Sequence, residues 1–212
     1  MIKSISVNVQ SSIRIEGAKT LYFDPWQIGS EPHDADVVFI THEHYDHFSP
    51  EDINAVLKFD GRLVLPESML NLTNGISTIP ADHIVPVRPK ETREVSRVLV
   101  ETLPAYNIRK PFHIKRSEWL GYIVTLDATR FYISGDTDLI PEIRDIRCDV
   151  AFVGIGGTYS MDALEAAGFV KHIHPRTVVP TGYGSIVGSP ADGEYFQSLM
   201  PWDIHCDLLL DA

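Results

Sequence analysis

The sequence predicts an α+β fold in which β-sheets are flanked by helices, and two observations support this. The first half of the chain is dominated by short strands separated by turn signals, whereas the second half alternates strands with helices. Strands followed by alternating β and α units are typical of sheets with helices on their outer faces. We find no repeat and no linker that divides the chain, so we expect a single domain over residues 1–212.

Alternation of apolar and polar residues identifies the opening strands. It predicts strands at residues 4–9, 11–15 and 20–23. Residues 36–41 are instead mostly apolar and rich in β-branched side chains, which is typical of a strand buried on both faces. That strand leads directly into His42.

A helix is predicted to begin after Ser49. Ser49 is suited to the N-cap, Pro50 to the first helical position, and acidic residues fill the first turn. The helix is expected to reach about Phe59, where the dipeptide Asp60-Gly61 stops it.

The remaining elements follow from the same patterns. We expect further strands at residues 62–65, 76–79, 92–103, 121–126, 130–134, 149–153 and 177–179. We expect helices at residues 161–173 and 191–199, and a helix-like stretch at residues 139–144.

Composition limits the class of protein and its partners. The formal net charge of −11 disfavours a nucleic-acid-binding surface, which needs clustered lysine and arginine. No stretch approaches the ~18 to 20 apolar residues that cross a bilayer, and the first residues alternate, unlike an export signal. Cys148 and Cys206 lie far apart and suit a reducing compartment. We therefore expect a cytoplasmic protein with neither a membrane nor a nucleic acid as partner.

One basic segment, residues 109–116, departs from the acidic balance. A solvated loop is the usual explanation of such a charge run. Lining a site for an anionic substrate is the alternative.

A dense group of metal-ligand residue types follows the buried strand: His42, His44, Asp46 and His47 lie within six positions. With 9 histidines in 212 residues, three in one window of six arise by chance roughly once per thousand windows. Imidazole and carboxylate are ligands of zinc, iron and manganese, and they can converge where a strand gives way to a loop. The alternative is an accidental cluster of surface histidines.

Residues 41–47, Thr-His-Glu-His-Tyr-Asp-His, resemble the H-x-H-x-D-H signature of the metallo-β-lactamase superfamily. Residues 21–26, 132–138 and 156–163 extend the resemblance over most of the chain. Together these segments are similar to small hydrolases related to the ascorbate phosphate lactonases and to the phosphodiesterase that cleaves N-acyl phosphatidylethanolamine.

The resemblance implies a four-layer αββα sandwich and a zinc centre of one or two ions, with manganese and iron as alternatives. It implies that His42 and His44 bind the first ion, Asp46 and His47 the second, and that Asp136 bridges them. From the residues alone, Asp136 follows a predicted strand in a Gly-Asp turn, where a carboxylate can leave the sheet edge. An ordinary turn or helix-capping role is the alternative for Asp136.

The sequence departs from the family pattern in two places. Where the family supplies a further histidine, this chain has Tyr106 and Asn107, and His113 is the nearest substitute. A loop histidine is more often a surface residue, and Tyr106 suits either substrate positioning or core packing. The family's late histidine falls at Gly182, so we expect a weakened second metal site.

Two later histidines are poor substitutes for that missing ligand. His172 and His174 stand at i and i+2 near a helix end and so do not share a face.

The expected activity is hydrolysis of an ester, a lactone or a phosphodiester of a small-molecule substrate by a metal-activated water. Asp46 is the candidate catalytic residue, holding or accepting a proton from that water. An anionic substrate is one alternative. A non-catalytic metal-binding or ligand-sensing protein with a degenerate site is the rival function.

Overall fold

A computed structural model of the protein describes residues 1–210, and these form two mixed β-sheets and three α-helices. The first sheet holds, in spatial order, β1 (Ser4–Val7), β2 (Ile13–Glu16), β3 (Thr20–Phe23), β4 (Ala35–Phe39), β5 (Leu57–Pro66) and β6 (Ile84–Val87). The second sheet holds β7 (Thr92–Val95), β8 (Val98–Pro104), β9 (Leu120–Leu126), β10 (Thr129–Ile133), β11 (Val150–Gly154), β12 (Thr177–Thr181) and β13 (His205–Cys206), in the order β13 to β7. The helices are α1 (Pro50–Val56), α2 (Ala163–Ile173) and α3 (Ala191–Ser198).

One buried cluster lies between the two sheets. Phe23 and Phe39 of the first sheet stack with ring centroids 4.7 Å apart, and Tyr122 of the second sheet lies 6.4 Å and 5.3 Å from them. All three side chains are fully buried. Burial of such aromatic side chains is a main source of the free energy that holds the sheets together.

Two further clusters attach helices to the outer faces of the sheets. Ile53 and Val56 of α1 pack on the first sheet. Phe169 of α2 and Phe196 of α3 pack on the second. The order of layers is therefore helix, sheet, sheet, helix, which confirms the predicted αββα sandwich.

Side-chain caps start α1 and α2. The Ser49 hydroxyl accepts a hydrogen bond from the amide of Asp52 at 3.3 Å at the start of α1. The Asp162 carboxylate does the same for the amide of Glu165 at 2.8 Å at the start of α2. Each cap satisfies an amide that has no partner within its own helix.

Two predictions for the first half of the chain were wrong. The helix that begins after Ser49 ends at Val56 instead of continuing to Phe59, because Leu57 is already extended and starts β5. The strand predicted at residues 76–79 is irregular, and the segment that pairs beside β5 is β6, with Leu63 opposite Ile84. Apolar residues mark both segments, and only the pairing with β5 distinguishes them.

Two predictions for the second sheet also needed correction. The alternating stretch at residues 92–103 is a hairpin of β7 and β8, because Ser96 and Arg97 both adopt positive φ and reverse the chain. The helix-like stretch at residues 139–144 contains only a 3-10 turn at Pro141–Ile143.

The strand directions place several loops at one end of the sandwich. β3 and β4 are parallel, β10, β11 and β12 are parallel, and β8 runs with β10 because β9 is antiparallel to both. The amide of Leu120 donates to the carbonyl of Thr41 at 3.0 Å and joins the two sheets at this end. Within residues 1–210, no helix is long and apolar enough to cross a bilayer.

Candidate metal centre

The carboxyl ends of the strands deliver the predicted site residues to one place. Asp24 follows β3 directly, the segment from His42 to His47 follows β4, and Asp136 follows β10. Gly135 takes φ +58°, and a Cβ there would lie 2.8 Å from the carbonyl oxygen of Leu120. The glycine therefore permits the tight turn that sends Asp136 back toward the motif.

The loop between β8 and β9 contributes His113, which is fully buried. Its Nε2 atom lies 3.4 Å from Nε2 of His42 and 3.5 Å from Oδ2 of Asp136. The structure therefore brings together the residues named from the sequence, and the loop histidine is not at the surface.

A hydrogen-bond chain behind His42 sets its tautomer. The Thr41 hydroxyl donates to Oδ2 of Asp24 at 2.6 Å and lies 2.9 Å from Nδ1 of His42. Because the hydroxyl proton of Thr41 is already used, Nδ1 of His42 donates its own proton to the hydroxyl oxygen. Nε2 of His42 therefore keeps its lone pair.

Asn107 fixes His113 in the same way. The side-chain oxygen of Asn107 lies 3.2 Å from Nδ1 of His113, while its amide group donates to Asp138 and to the carbonyl of Tyr159. The ammonium of Lys110 donates to the same Asp138 at 2.6 Å. His113 therefore presents the Nε2 lone pair to the centre.

Three imidazoles turn ring nitrogens toward one point, and the hydrogen bonds above leave a lone pair there on Nε2 of His42 and of His113. Nε2 of His42 lies 3.1 Å from Nδ1 of His44 and 3.4 Å from Nε2 of His113. Zinc–nitrogen bonds of ~2.0 to 2.1 Å separate tetrahedral ligand atoms by about 3.4 Å. Lone pairs at this spacing repel one another unless a cation lies between them, so this group of three histidines fits a divalent ion.

A second group of side chains, His47 with Asp46 and Asp136, lies next to the first group, which is the three-histidine group of His42, His44 and His113. Nε2 of His47 lies 3.5 Å from Oδ2 of Asp46 and 3.8 Å from Oδ2 of Asp136. Nδ1 of His47 lies 2.7 Å from Oδ2 of Asp24, so a carboxylate outside the group sets this tautomer. His47 and Asp136, together with His42, lie close enough to one another to hold a divalent ion, and Asp46 contacts this group through His47.

The electrostatics of the first group agree with its role as a set of neutral donors. Burial, with the neighbouring imidazoles, holds the pKa of His42 well below its usual value. Burial also lowers the pKa of His44, and burial with the nearby imidazoles lowers the pKa of His113 to about 3. At neutral pH all three rings are uncharged, as metal ligation requires.

In the second group the protonated, charged form of the histidine is favoured instead. Burial opposes a charge on His47, but Asp136, Asp24 and Asp46 outweigh it and raise its pKa to about 9. Burial raises the pKa of Asp136 to about 6, and the neighbouring aspartates add to this effect. Positive charge is therefore stabilised at this point of the site.

Several residues considered from the sequence lie away from these groups. Gly182 has no side chain, although it follows β12 at the same end of the sandwich. His172 and His174 pair with Asp145 and Asp203 at 2.8 Å and 3.2 Å, on and directly after α2. Tyr106 is buried among the apolar residues beneath α2, which agrees with core packing.

Sequence reasoning missed residues that support the centre. Asp24 was part of a segment used for the resemblance, but no role was assigned to it. Asn107 was noted only as a departure from the pattern. Both act through hydrogen bonds to histidines distant in sequence. Trp119, which lies 5.0 Å from the rings of His42 and His44, was also given no role from the sequence.

Comparison with known proteins agrees with the fold and with the class of metal-dependent hydrolases. Residues 6–182 match the family model of the β-lactamase superfamily domain. A UPF0173 metal-dependent hydrolase of Pyrococcus furiosus is 31% identical over 206 residues, which covers 88% of this chain and 87% of that protein. A crystal structure of a candidate metal-dependent hydrolase from Parabacteroides distasonis is 27% identical with a TM-score of 0.80, covering 97% and 93% of the two chains.

A metallo hydrolase from Ignicoccus hospitalis shares the fold more distantly. It is 21% identical with a TM-score of 0.76, and the alignment covers 96% of this chain and 93% of that one.

Proposed function

This chain belongs to the β-lactamase superfamily and to its UPF0173 metal-dependent hydrolases, and we propose that it hydrolyses an ester, a lactone or a phosphodiester at the centre described above. It is an enzyme of the metal-dependent hydrolase class. The three linkages come from the resemblance to ascorbate phosphate lactonases and to the N-acyl phosphatidylethanolamine phosphodiesterase. The observation that carries the proposal is the convergence of ring nitrogens from His42, His44 and His113.

The protein residues divide the work of holding and orienting the reactants. A divalent cation at this centre supplies a water of lowered pKa and polarises the bond to be cleaved. His42, His44 and His113 hold that cation, with Asp136 beside them. Zinc is the expected ion because tetrahedral nitrogen sites favour it, with manganese and iron as alternatives.

Asp46 is the proposed catalytic residue. Its Oδ2 atom lies 3.5 Å from Nε2 of His47, and the residue is buried next to that histidine in the motif. From this position its carboxylate accepts a proton from the attacking water and later returns it to the leaving group.

The second ion is proposed to bind more weakly than the first. Three side chains, Asp46, His47 and Asp136, face its position, and Gly182 supplies none. A centre with one tightly held ion and an open coordination position remains competent for hydrolysis.

A cytoplasmic enzyme acting on a small molecule is part of the proposal. Cys148 and Cys206 are free thiols, which persist in a reducing compartment. The net charge of −11 argues against nucleic acid as a partner. We also propose that residues 1–212 act as a single domain.

The function is tested with chelated protein resupplied with zinc, manganese or iron. 4-Nitrophenyl acetate, a γ-lactone and bis(4-nitrophenyl) phosphate represent the three linkages. We expect metal-dependent turnover of at least one, and its loss in His42→Ala. Equal rates in the wild type and His42→Ala for all three classes would leave the non-catalytic metal-binding function as the better account.

A further inference from the structure

An aromatic surface borders the three-histidine group. The Trp119 ring lies 5.0 Å from the rings of His42 and His44 and 5.2 Å from that of His113. Trp119 is itself buried, so it forms the inner end of this surface.

Two further rings continue the surface outward. Tyr159 lies 6.4 Å from the ring of His44 and 5.9 Å from that of His113. Phe112 contacts Tyr159 edge-on at 4.8 Å and is 46% exposed. Phe112, Trp119 and Tyr159 are called the aromatic wall below.

Three other large side chains, on the loop that carries Phe112 and in the metal-ligand motif, are also exposed. Ile108 and Ile114, on the same loop as Phe112, are 57% and 39% exposed. Tyr45, inside the metal-ligand motif, is 65% exposed and contacts Trp26 edge-on at 5.8 Å. Large apolar side chains grouped around a site, and left in water, favour an apolar ligand.

The charges of this region do not favour an anion. Lys110 is neutralised by Asp138 at 2.6 Å, and Lys115 by Glu142 at 2.8 Å. The carboxylates at the centre belong to Asp24 and Asp46, which are buried, and to Asp136, whose side chain is 11% exposed. Their negative charges offset the charge of one divalent ion and much of that of two, so little positive potential is left for a phosphodiester.

Two arginines of the same loop are the argument for an anionic substrate. Arg109 and Arg116 are exposed and form no ion pair within residues 1–210. Because exposed arginines lie in water of high dielectric constant and are screened by salt, they attract an anion less than buried ones do.

We propose that the substrate is an uncharged carboxylic ester or lactone whose apolar acyl part packs on the aromatic wall. This rests on the proposed hydrolase function and narrows its substrate class. In the reaction the water oxygen bonds to the acyl carbon, the ester C–O bond breaks, and the alcohol oxygen takes up a proton. One water is consumed for each acid and alcohol released.

The test uses the zinc-loaded full chain with 4-nitrophenyl acetate, butyrate and hexanoate and with bis(4-nitrophenyl) phosphate. The rates of His42→Ala are subtracted throughout. Burial of each added methylene on the wall is expected to raise kcat/KM by up to about fourfold. The phosphodiester is expected to be the poorest substrate.

Variants test whether the aromatic wall causes the preference for longer acyl chains. Phe112→Ala is expected to lower the hexanoate-to-acetate ratio of kcat/KM at least about threefold, whereas Phe112→Leu retains most of it. The matched control is Trp202→Ala, an aromatic residue that is 97% exposed between α3 and β13 and is expected to change neither rate.

Each other result overturns the proposal in a recognisable way. Equal rates across the acyl series, or an unchanged ratio in Phe112→Ala, would exclude the wall as the acyl site while leaving ester hydrolysis intact. A preference for the phosphodiester that Arg109→Gln abolishes would assign an anionic substrate instead. Failure on every substrate would overturn the proposed function itself.

Discussion

Asp24 and His47 form a buried carboxylate–imidazole pair, with 2.7 Å between Oδ2 and Nδ1. The same carboxylate accepts hydrogen bonds from the amide and the hydroxyl of Thr41 at 2.8 Å and 2.6 Å. One residue at the end of β3 therefore orients two histidines of the motif, His47 directly and His42 through Thr41.

Replacement of Asp24 should weaken metal binding without removing a ligand. In Asp24→Asn one acceptor oxygen becomes a donor, so the bonds to Thr41 and His47 cannot all form. Loss of such a supporting partner typically lowers metal affinity by about 10- to 100-fold. Titration against a chromophoric chelator measures the change. Asp34→Asn, which removes a carboxylate paired with Arg14 and Tyr22, is the control, and equal affinities of the two variants would contradict the assigned role of Asp24.

Asn107 should position His113 in a comparable way. Asn107→Leu removes the acceptor for Nδ1 of His113, so the ring loses its fixed tautomer, and we expect metal affinity to fall about tenfold or more. Tyr106→Phe is the matched neighbour, because it loses the hydroxyl contact with Glu142 and leaves His113 untouched. The same chelator titration compares them. A fall of equal size in both variants would indicate a general disturbance of the loop.

The sequence predicted most of the site because its central residues are contiguous and follow a recognisable buried strand. Asp136 was found for a similar reason, since it follows a strand in a Gly-Asp turn. Asp24 and Asn107 were not assigned roles, because their function depends on which strand ends meet. The pairing of β3 with β4, and the contact of the loop after β8 with the motif, are long-range contacts that local patterns do not encode. The same limit explains the wrong strand at residues 76–79.

Gly182 offers a test of the second ion position by gain of a ligand. The glycine has φ +65°, and a Cβ there would lie 3.4 Å from Oγ of Ser11, which is ordinary contact. Histidine tolerates this backbone better than most residues, at a cost of about 1 kcal/mol. We expect Gly182→His to hold more metal per chain than the wild type, while Gly182→Ala reports the backbone strain alone. Identical metal content in all three proteins would show that position 182 does not face the second group.

The stability of chelated protein should depend on His113 at acidic pH. Burial lowers the pKa of His113 to about 3, below the value of about 6.5 in an unfolded chain. The unfolded state therefore binds more protons than the folded state between these two pH values. The contribution of neutral His113 to the free energy of unfolding is complete above about pH 6.5 and is lost as the pH falls toward 3. His113→Gln removes this dependence. Urea denaturation between pH 6.5 and 4 measures the free energy of unfolding against pH. Its slope should be shallower in His113→Gln than in the wild type by up to about 1.4 kcal/mol per pH unit. Parallel slopes for the two proteins would contradict a buried, neutral His113.

The most direct test of the account is the metal content per chain of protein purified without chelator and resupplied with zinc. The wild type is compared with His42→Ala/His113→Ala and with the surface control His172→Ala/His174→Ala. We predict one or two tightly held ions in the wild type and the control, and none in the first double variant. Equal metal in all three proteins, or none in the wild type, would contradict a metal centre built on His42 and His113.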